Sequence, residues 1–465
     1  MQNNSTPPPR PPRIVKLLRQ EPSPSRERSD MARLTETPQP IQKVSPPAFG
    51  PLGLEWPHFA GWQWKVLVVL TLINLLNYFD RLIVVPMFPF LKDEFGVSDF
   101  KLGLLASVFI LVHSLAVLPF GFWSDRGPRQ RIMAFGVFFW SVATLLSGVA
   151  GTFRWLLGAR ALVGIGEGAY APAGTAMISD CFPRSFRARV QSVFNLGMLV
   201  GGVLGLAAGG VLSQWVGWRY AFFLVGLPGF LLALAAFRVR IPVSLPPEKA
   251  PPVWSLLKIP AFLMVMAGGM FVVFSSAAFI TWGPTFADRY HDLTVAQASV
   301  WMGAVVLVGS VGGVLLGGYV ADRLQARWTW GRAITIGATL LLGTPFLYVA
   351  VDTDSISVFL ICLFVASFLL TCYHGPATAV IHDLTPERAH SFAFALYLFV
   401  IHLFGDMVAP ALVGRVSDIS ELRHGLQLGV AANFAAAVCF LIVAWLIARR
   451  GRSATPAVRD EAAVA

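Results

Sequence analysis

Asp80 and Arg81 lie side by side in a stretch, Trp62 to Phe90, that is mainly apolar and long enough to cross a bilayer. A second such stretch, Phe153 to Asp180, carries Arg160 and Glu167 seven residues apart, two helical turns along one face. A charge at the centre of a membrane helix costs about 2.5–3.5 kcal/mol on insertion scales, so four of them require mutual pairing, a water-filled cavity, or both. Intramembrane ionisable groups of this kind mark ion, proton or substrate paths. Burial opposes the ionised form of a carboxyl and a nearby arginine favours it. A carboxylate under both influences changes protonation when the arginine moves or water enters. Asp80 and Glu167 are therefore the expected proton-coupling acids. Arg81 and Arg160 are their expected charge partners, Asp80 with Arg81 and Arg160 with Glu167, and the candidate contacts for a charged head group. A permanent ion-pair network that only holds the helices together is the alternative these residues leave open. Asn74 and Asn77 share a face with Asp80, and Gly164, Gly166 and Gly168 thin the helix wall around Glu167.

The second half of the chain has a weaker polar set. His402 and Asp406 are four apart and share a helix face, and His374 precedes Gly375-Pro376, which should break its helix. Histidine titrates near neutrality, so these three form a possible second polar site, with a plain inter-helix hydrogen bond as the bland reading. No third ligand has metal-site spacing, and no metal is expected. His113, alone on an apolar helix, and the four cysteines read as structural. Neither a Gly-x-Ser-x-Gly elbow, a Walker sequence nor a His-Glu-x-x-His motif is present, so the chain is not expected to be an enzyme. No cofactor is expected either, and a proton gradient is the expected energy source.

These residues must be positioned by membrane helices. Of the 465 residues, 55% are hydrophobic and only 13% charged, against about 25% charged in soluble proteins. The pattern is one of long apolar runs rather than alternating ten-residue strands. Read against the loops, the runs give an all-α membrane protein of twelve helices in two pseudo-symmetric six-helix lobes. The domains are expected at 1–60 (a disordered cytoplasmic tail), 61–238 (N-terminal lobe), 239–257 (cytoplasmic linker), 258–449 (C-terminal lobe) and 450–465 (cytoplasmic tail). The net charge of +11 is concentrated in the N-terminal tail and in alternate short loops. That is the positive-inside distribution, which puts both termini in the cytoplasm and makes nucleic acid an unneeded partner.

A repeat supports the division. Gly121-Phe-Trp-Ser-Asp125-Arg126 ends the second helix, and Gly318-Tyr-Val-Ala-Asp322-Arg323 ends the eighth. At corresponding places in two halves, Gly121, Asp125, Arg126, Asp322 and Arg323 are candidate gating residues. An aspartate there can pair in one lobe arrangement only and so bias the equilibrium between two. Gly197, Gly201, Gly205 and Gly209 make a four-residue ridge for close helix packing that would also let the lobes rock.

Asn77-Tyr-Phe-Asp-Arg81, Asp125-Arg126, Gly164-Ile-Gly-Glu167 and Gly217-Trp-Arg-Tyr-Ala-Phe222 resemble the major facilitator superfamily. Its organic anion:proton symporters share much of that first-half pattern. Trp282-Gly-Pro284 with Arg289, and Ile401-His-Leu-Phe-Gly-Asp406 with Pro410 and Gly414, look like its spinster-like lipid transporters. The resemblance implies alternating access by two lobes around a cavity lined by the first, fourth, seventh and tenth helices. It also implies Asp80 and Glu167 as proton-responsive acids and an amphipathic substrate such as a lysophospholipid or sphingoid phosphate. The chain departs from the superfamily at Pro128 and Gln130 of the loop motif, and at Leu206, where drug antiporters have proline. The expected protein is a monomeric, proton-linked lipid transporter of a bacterial inner membrane, contacting protons, substrate and membrane lipids. An organic anion:proton symporter is the near alternative and a non-transporting membrane sensor the distant one.

Overall fold

The computed structural model of the chain describes residues 59–126, 128–183, 187–239, 256–386 and 389–453. Apart from their edges, the expected tails 1–60 and 450–465 and the linker 239–257 lie outside the described residues, as do the side chains of Asp125 and Arg126. The first six helices are α1 (Gly61–Phe95), α2 (Asp99–Arg126), α3 (Arg129–Gly148), α4 (Phe153–Cys181), α5 (Arg187–Trp215) and α6 (Trp218–Arg238). The second six begin with α7 (Pro260–Tyr290), α8 (Val295–Gln325) and α9 (Gly331–Asp352). Then come α10 (Ile356–Thr371 and His374–Leu384), α11 (His390–Ile401 and Val408–Ile419, joined by a π turn at His402–Asp406) and α12 (Leu422–Ser453). Eleven of these are long and apolar enough to cross a membrane. The twelfth, α4, is long enough but is made less apolar by Arg154, Arg160 and Glu167.

Local sequence explains the breaks. In α1, Pro86 enforces a 3₁₀ turn over Val85–Met87, and Gly96 stops the helix at a left-handed φ of 58°, donating its N–H to the Lys92 carbonyl. Thr152 caps α4 by accepting from the Trp155 N–H, and Thr294 with Gln297 forms a capping box at α8. α10 is interrupted just before His374-Gly375-Pro376, where the sequence places the break.

Helices α1–α6 pack mainly on one another, as do α7–α12, giving two lobes. Within the first, α4 is clasped by α2 and α3 through its glycines. A Cβ on Gly164 would stand 2.7 Å from the Phe109 carbonyl oxygen, and one on Gly166 would stand 2.6 Å from the Trp140 nitrogen. The α5 glycine ridge lies on α1: a Cβ on Gly201 would come within 2.1 Å of the Leu75 carbonyl oxygen, and Gly197, Gly205 and Gly209 meet Thr71, Phe79 and Ile83 in the same way. The ridge therefore fixes a contact inside one lobe, which corrects the expectation that it lets the lobes rock.

The helices alternate between a basal face, where α1 starts, and a distal face, where α2 starts. Among the described residues, every hydrogen bond between the lobes lies in the distal half: Asp99 and Phe100 with Asp418, Asp99 with Arg289 and Ser417, Ser107 with Ala411, and Gln214 with Ala296.

Candidate functional site

The four membrane charges converge, but not in the expected pairs. Asp80 is fully buried and its carboxylate accepts from Arg160 Nη1 at 2.9 Å and from Thr144 Oγ1 of α3 at 2.5 Å. Arg160 Nη2 also donates to the Asp80 backbone carbonyl at 3.1 Å. The partnership is thus Asp80 with Arg160, not with its neighbour Arg81. Successive helix residues point about 100° apart, so Arg81 leaves on a different side of α1. Its guanidinium stands 5.4 Å from the Tyr78 ring centroid and 5.0 Å from that of Phe109, within electrostatic range of Glu167.

Glu167 is fully buried, and neither of its carboxylate oxygens has a hydrogen-bond partner. Its charged neighbours are Arg81, Asp80 and Arg160, and the Asn77 amide approaches it too loosely for a close hydrogen bond. Both arginines approach the Phe109 ring of α2, the Arg160 guanidinium at 5.4 Å and Arg81 at 5.0 Å from its centroid. Asn74 is spent on packing, donating to the Phe194 carbonyl of α5 at 2.8 Å.

Two of the second-lobe residues, His402 and Asp406, lie within electrostatic range of this cluster. The π turn, a feature that recurs at functional positions, presents His402 Nδ1 3.2 Å from Asp406 Oδ2. Asp406 lies within electrostatic range of Arg81, and His402 within range of His113, which stacks on Phe109. His113, read from sequence as structural, is thus part of the polar set. His402 is 40% exposed, in contrast to the fully buried Asp80 and Glu167. His374 is exposed beside Tyr373 on α10, with no polar contact to His402 or Asp406 among the described residues. Thr144 and Phe109 were not singled out from sequence. A threonine and a phenylalanine in apolar helices carry no signal until the facing charge is known. No three His, Cys, Asp or Glu side chains gather at metal-binding range among the described residues.

Comparison with known proteins bears on this arrangement. The model of the Major Facilitator Superfamily matches residues 70–410 and, again, 301–463. The chain belongs to that superfamily. It is 30% identical to protein spinster homolog 1 of Xenopus tropicalis over 76% of this chain and 72% of that one. It is 27% identical to protein spinster of Drosophila melanogaster over 78% of its length, spanning 63% of that protein. Among solved structures, a bacterial homolog to the human lysosomal transporter spinster, in an inward-facing and occupied conformation, superposes with a TM-score of 0.73 at 25% identity. The match covers 84% of this chain and 97% of that one. The protein is a membrane transporter of the spinster type and not an enzyme.

In this major facilitator protein, Trp282, Arg289, Pro410 and Gly414, which resemble spinster residues, belong to the distal seam between lobes. Trp282 Nε1 donates to the Pro410 carbonyl at 2.9 Å, and Gly103 and Gly414 allow α2 and α11 to touch backbone to backbone. At the seam's end, Asp99 is 2% exposed and accepts from Arg289 twice (2.7 and 2.8 Å), from Ser417 at 2.6 Å and from Lys92 at 2.7 Å. Asp418 of the other lobe caps α2, accepting the Asp99 and Phe100 N–H groups at 2.8 and 2.9 Å. Beside this latch, burial against Phe286 and Phe359 holds the His291 imidazole below its ordinary value, so it adds no positive charge there at neutral pH. Hydrogen bonds to charged groups are worth about 1.5–3 kcal/mol each. Asp99→Ala is accordingly expected to raise thiol-reagent labelling of a Ser107→Cys reporter in the seam by about tenfold or more. Unchanged labelling would show that the latch does not hold the seam.

The gating motif divides its labour. Asp322 accepts from Arg332 Nε and Nη2 (3.1 and 2.9 Å), and Arg332 Nη1 reaches Asp383 at the end of α10 (2.9 Å). That pairing is within one lobe, not across the interface. Arg129 pairs with Asp180 at the end of α4 in the same manner. The two partner aspartates sit in a second repeat, Ile178-Ser-Asp180-Cys-Phe-Pro183 and Ile381-His-Asp383-Leu-Thr-Pro386, whose meaning shows only once Arg129 and Arg332 are seen against it. Gly121 lies near the end of α2, with Arg126 as the last helical residue.

Proposed function

We propose that the protein is a proton-linked transporter of an amphipathic lipid with an anionic head group, such as a lysophospholipid or sphingoid phosphate. The observation that carries this reading is Arg81, a guanidinium within electrostatic range both of Glu167 of its own lobe and of Asp406 of the other. Asp80 is already compensated by Arg160 and Thr144. Glu167 is not, so it is the acid that a proton would neutralise, and Arg81 is the cation that an anionic head group would engage. A head group arriving at Arg81 competes with both carboxylates, which links substrate binding to protonation of Glu167 and to the position of the second lobe. The closed distal seam and the basal Arg and Lys loops favour an inward-facing state in a bacterial inner membrane, with both termini cytoplasmic. The chain is taken to act as a monomer with no cofactor.

The test is flux in proteoliposomes of a labelled lysophospholipid and of a small organic anion, with and without a pH gradient. Gradient-dependent lysophospholipid movement is expected. Movement of the small anion alone would make the protein an organic anion:proton symporter. Binding without movement of either would make it a sensor.

A further inference from the structure

One face of α8 has no role in the transport site. Val308, Val311, Leu315 and Tyr319 follow one another at three- and four-residue steps and are 63%, 42%, 71% and 57% exposed. They lie opposite Gly309, Gly313 and Gly317, which pack on α10. The stripe runs toward the basal end and leads into a cleft of about 480 Å³ lined by Tyr319, Asp322, Arg323, Ala326 and Arg327. Arg323 and Arg327 are one turn apart, and neither meets a carboxylate among the described residues. The Arg323 guanidinium lies over the Tyr319 ring at 5.0 Å. Around the cleft, Arg323, Arg327 and Arg332 face Asp322 and Asp383, three positive charges against two negative. Arg332 holds both acids, so the remaining guanidiniums stay available. Trp328, 45% exposed and stacked on Trp330 at 5.0 Å, adds the aromatic belt of a membrane–water boundary.

We infer that this α8 face is a binding site for an anionic phospholipid of the surrounding bilayer, with acyl chain along Val308–Leu315 and head-group phosphate on Arg323 and Arg327. Charge complementarity decides the occupant. An apolar stripe ending in two uncompensated guanidiniums, an indole and a phenol matches a lipid whose phosphate lies at the boundary and carries net negative charge. The second Asp-Arg motif then has two separate duties. Asp322 braces the lobe through Arg332, and Arg323 faces the membrane.

The experiment uses the full chain in nanodiscs with a photoactivatable phosphatidylglycerol probe, with the adducts mapped by peptide mass spectrometry. Adducts are expected on residues 319–330. In Arg323→Gln/Arg327→Gln they should fall about 30-fold, roughly fivefold per basic side chain at a membrane surface, while Arg323→Lys/Arg327→Lys keeps most of them. Arg81→Gln, in the transport site, should leave them unchanged. Equal labelling by a phosphatidylcholine probe, labelling spread evenly over all basal arginines, or adducts unaffected by the double glutamine change would each overturn the inference. So would displacement of the probe by millimolar inorganic phosphate, which would make the cleft a free-phosphate site.

Discussion

Arg160→Ala is expected to destabilise the folded protein by about 3–5 kcal/mol, the range found when one partner of a buried ion pair is removed. Arg160 is 1% exposed and Asp80 0%, so solvent offers the abandoned carboxylate little help. Thr144 alone cannot replace the two guanidinium contacts, one to the Asp80 carboxylate and one to its backbone carbonyl. The measurement is thermal unfolding of purified protein in detergent. An apparent midpoint at least roughly 5 °C lower is expected, with weaker expression. Adding Asp80→Asn to Arg160→Ala removes the uncompensated charge and should restore a large part of the loss, so the double mutant is more stable than the single. If the two changes instead add as independent losses, the pair is not coupled and Arg160 acts through its packing against Phe109 and Phe222. Arg81→Ala is a useful contrast. Arg81 makes ring contacts and long-range charge contacts but no close ion pair, so its removal should affect transport much more than stability.

Much of this arrangement is legible in the sequence because charges in apolar helices are costly wherever they occur. Asp80, Arg81, Arg160 and Glu167 stand out for that reason alone, and the helix count follows from the same hydropathy. Which acid meets which arginine is not legible. It depends on the rotation of α4 about its axis, set by Gly164 and Gly166 against backbone of α2 and α3, and a one-residue change in rotation is about 100°. Adjacency in sequence favoured Asp80 with Arg81, and helix geometry favours the crossed pair. The distal latch was hidden for another reason. Asp99 opens a helix, where an aspartate has a local purpose as a first-turn acid, and its partners Arg289 and Ser417 are about two hundred and three hundred residues away. Its role exists only in the lobe arrangement that brings them together. The glycine ridge of α5 was readable as a packing surface, but the identity of its partner, α1, was not.

Glu167→Gln is expected to abolish the response of transport to a pH gradient while leaving the protein folded. Glutamine keeps the length and volume of the side chain and cannot exchange a proton. Neither Glu167 oxygen makes a close hydrogen bond, and the weak approach of Asn77 can be kept by a glutamine oxygen, so the structural cost of the change is small. In wild-type proteoliposomes a gradient of one pH unit coupled to one proton sustains about a tenfold accumulation of substrate, since one unit equals about 1.4 kcal/mol. In the Gln variant that accumulation should fall to the level set by substrate alone, while downhill movement persists. Asp80→Asn makes the necessary comparison. With Asp80 locked by Arg160 and Thr144, its neutralisation should first lower stability, and any residual flux should still follow the pH gradient. The opposite pattern, gradient-driven accumulation surviving in Glu167→Gln and lost in Asp80→Asn, would transfer the proton to Asp80 and make Glu167 structural. The two carboxylates are both buried within reach of the same arginines, so their environments differ chiefly in compensation. Asp80 has three close donors to its carboxylate and backbone oxygens, and Glu167 has only a weak approach from the Asn77 amide. A carboxylate without a close ion pair or short hydrogen bond is the one whose charge the protein can switch, because no strong contact must break for a proton to arrive.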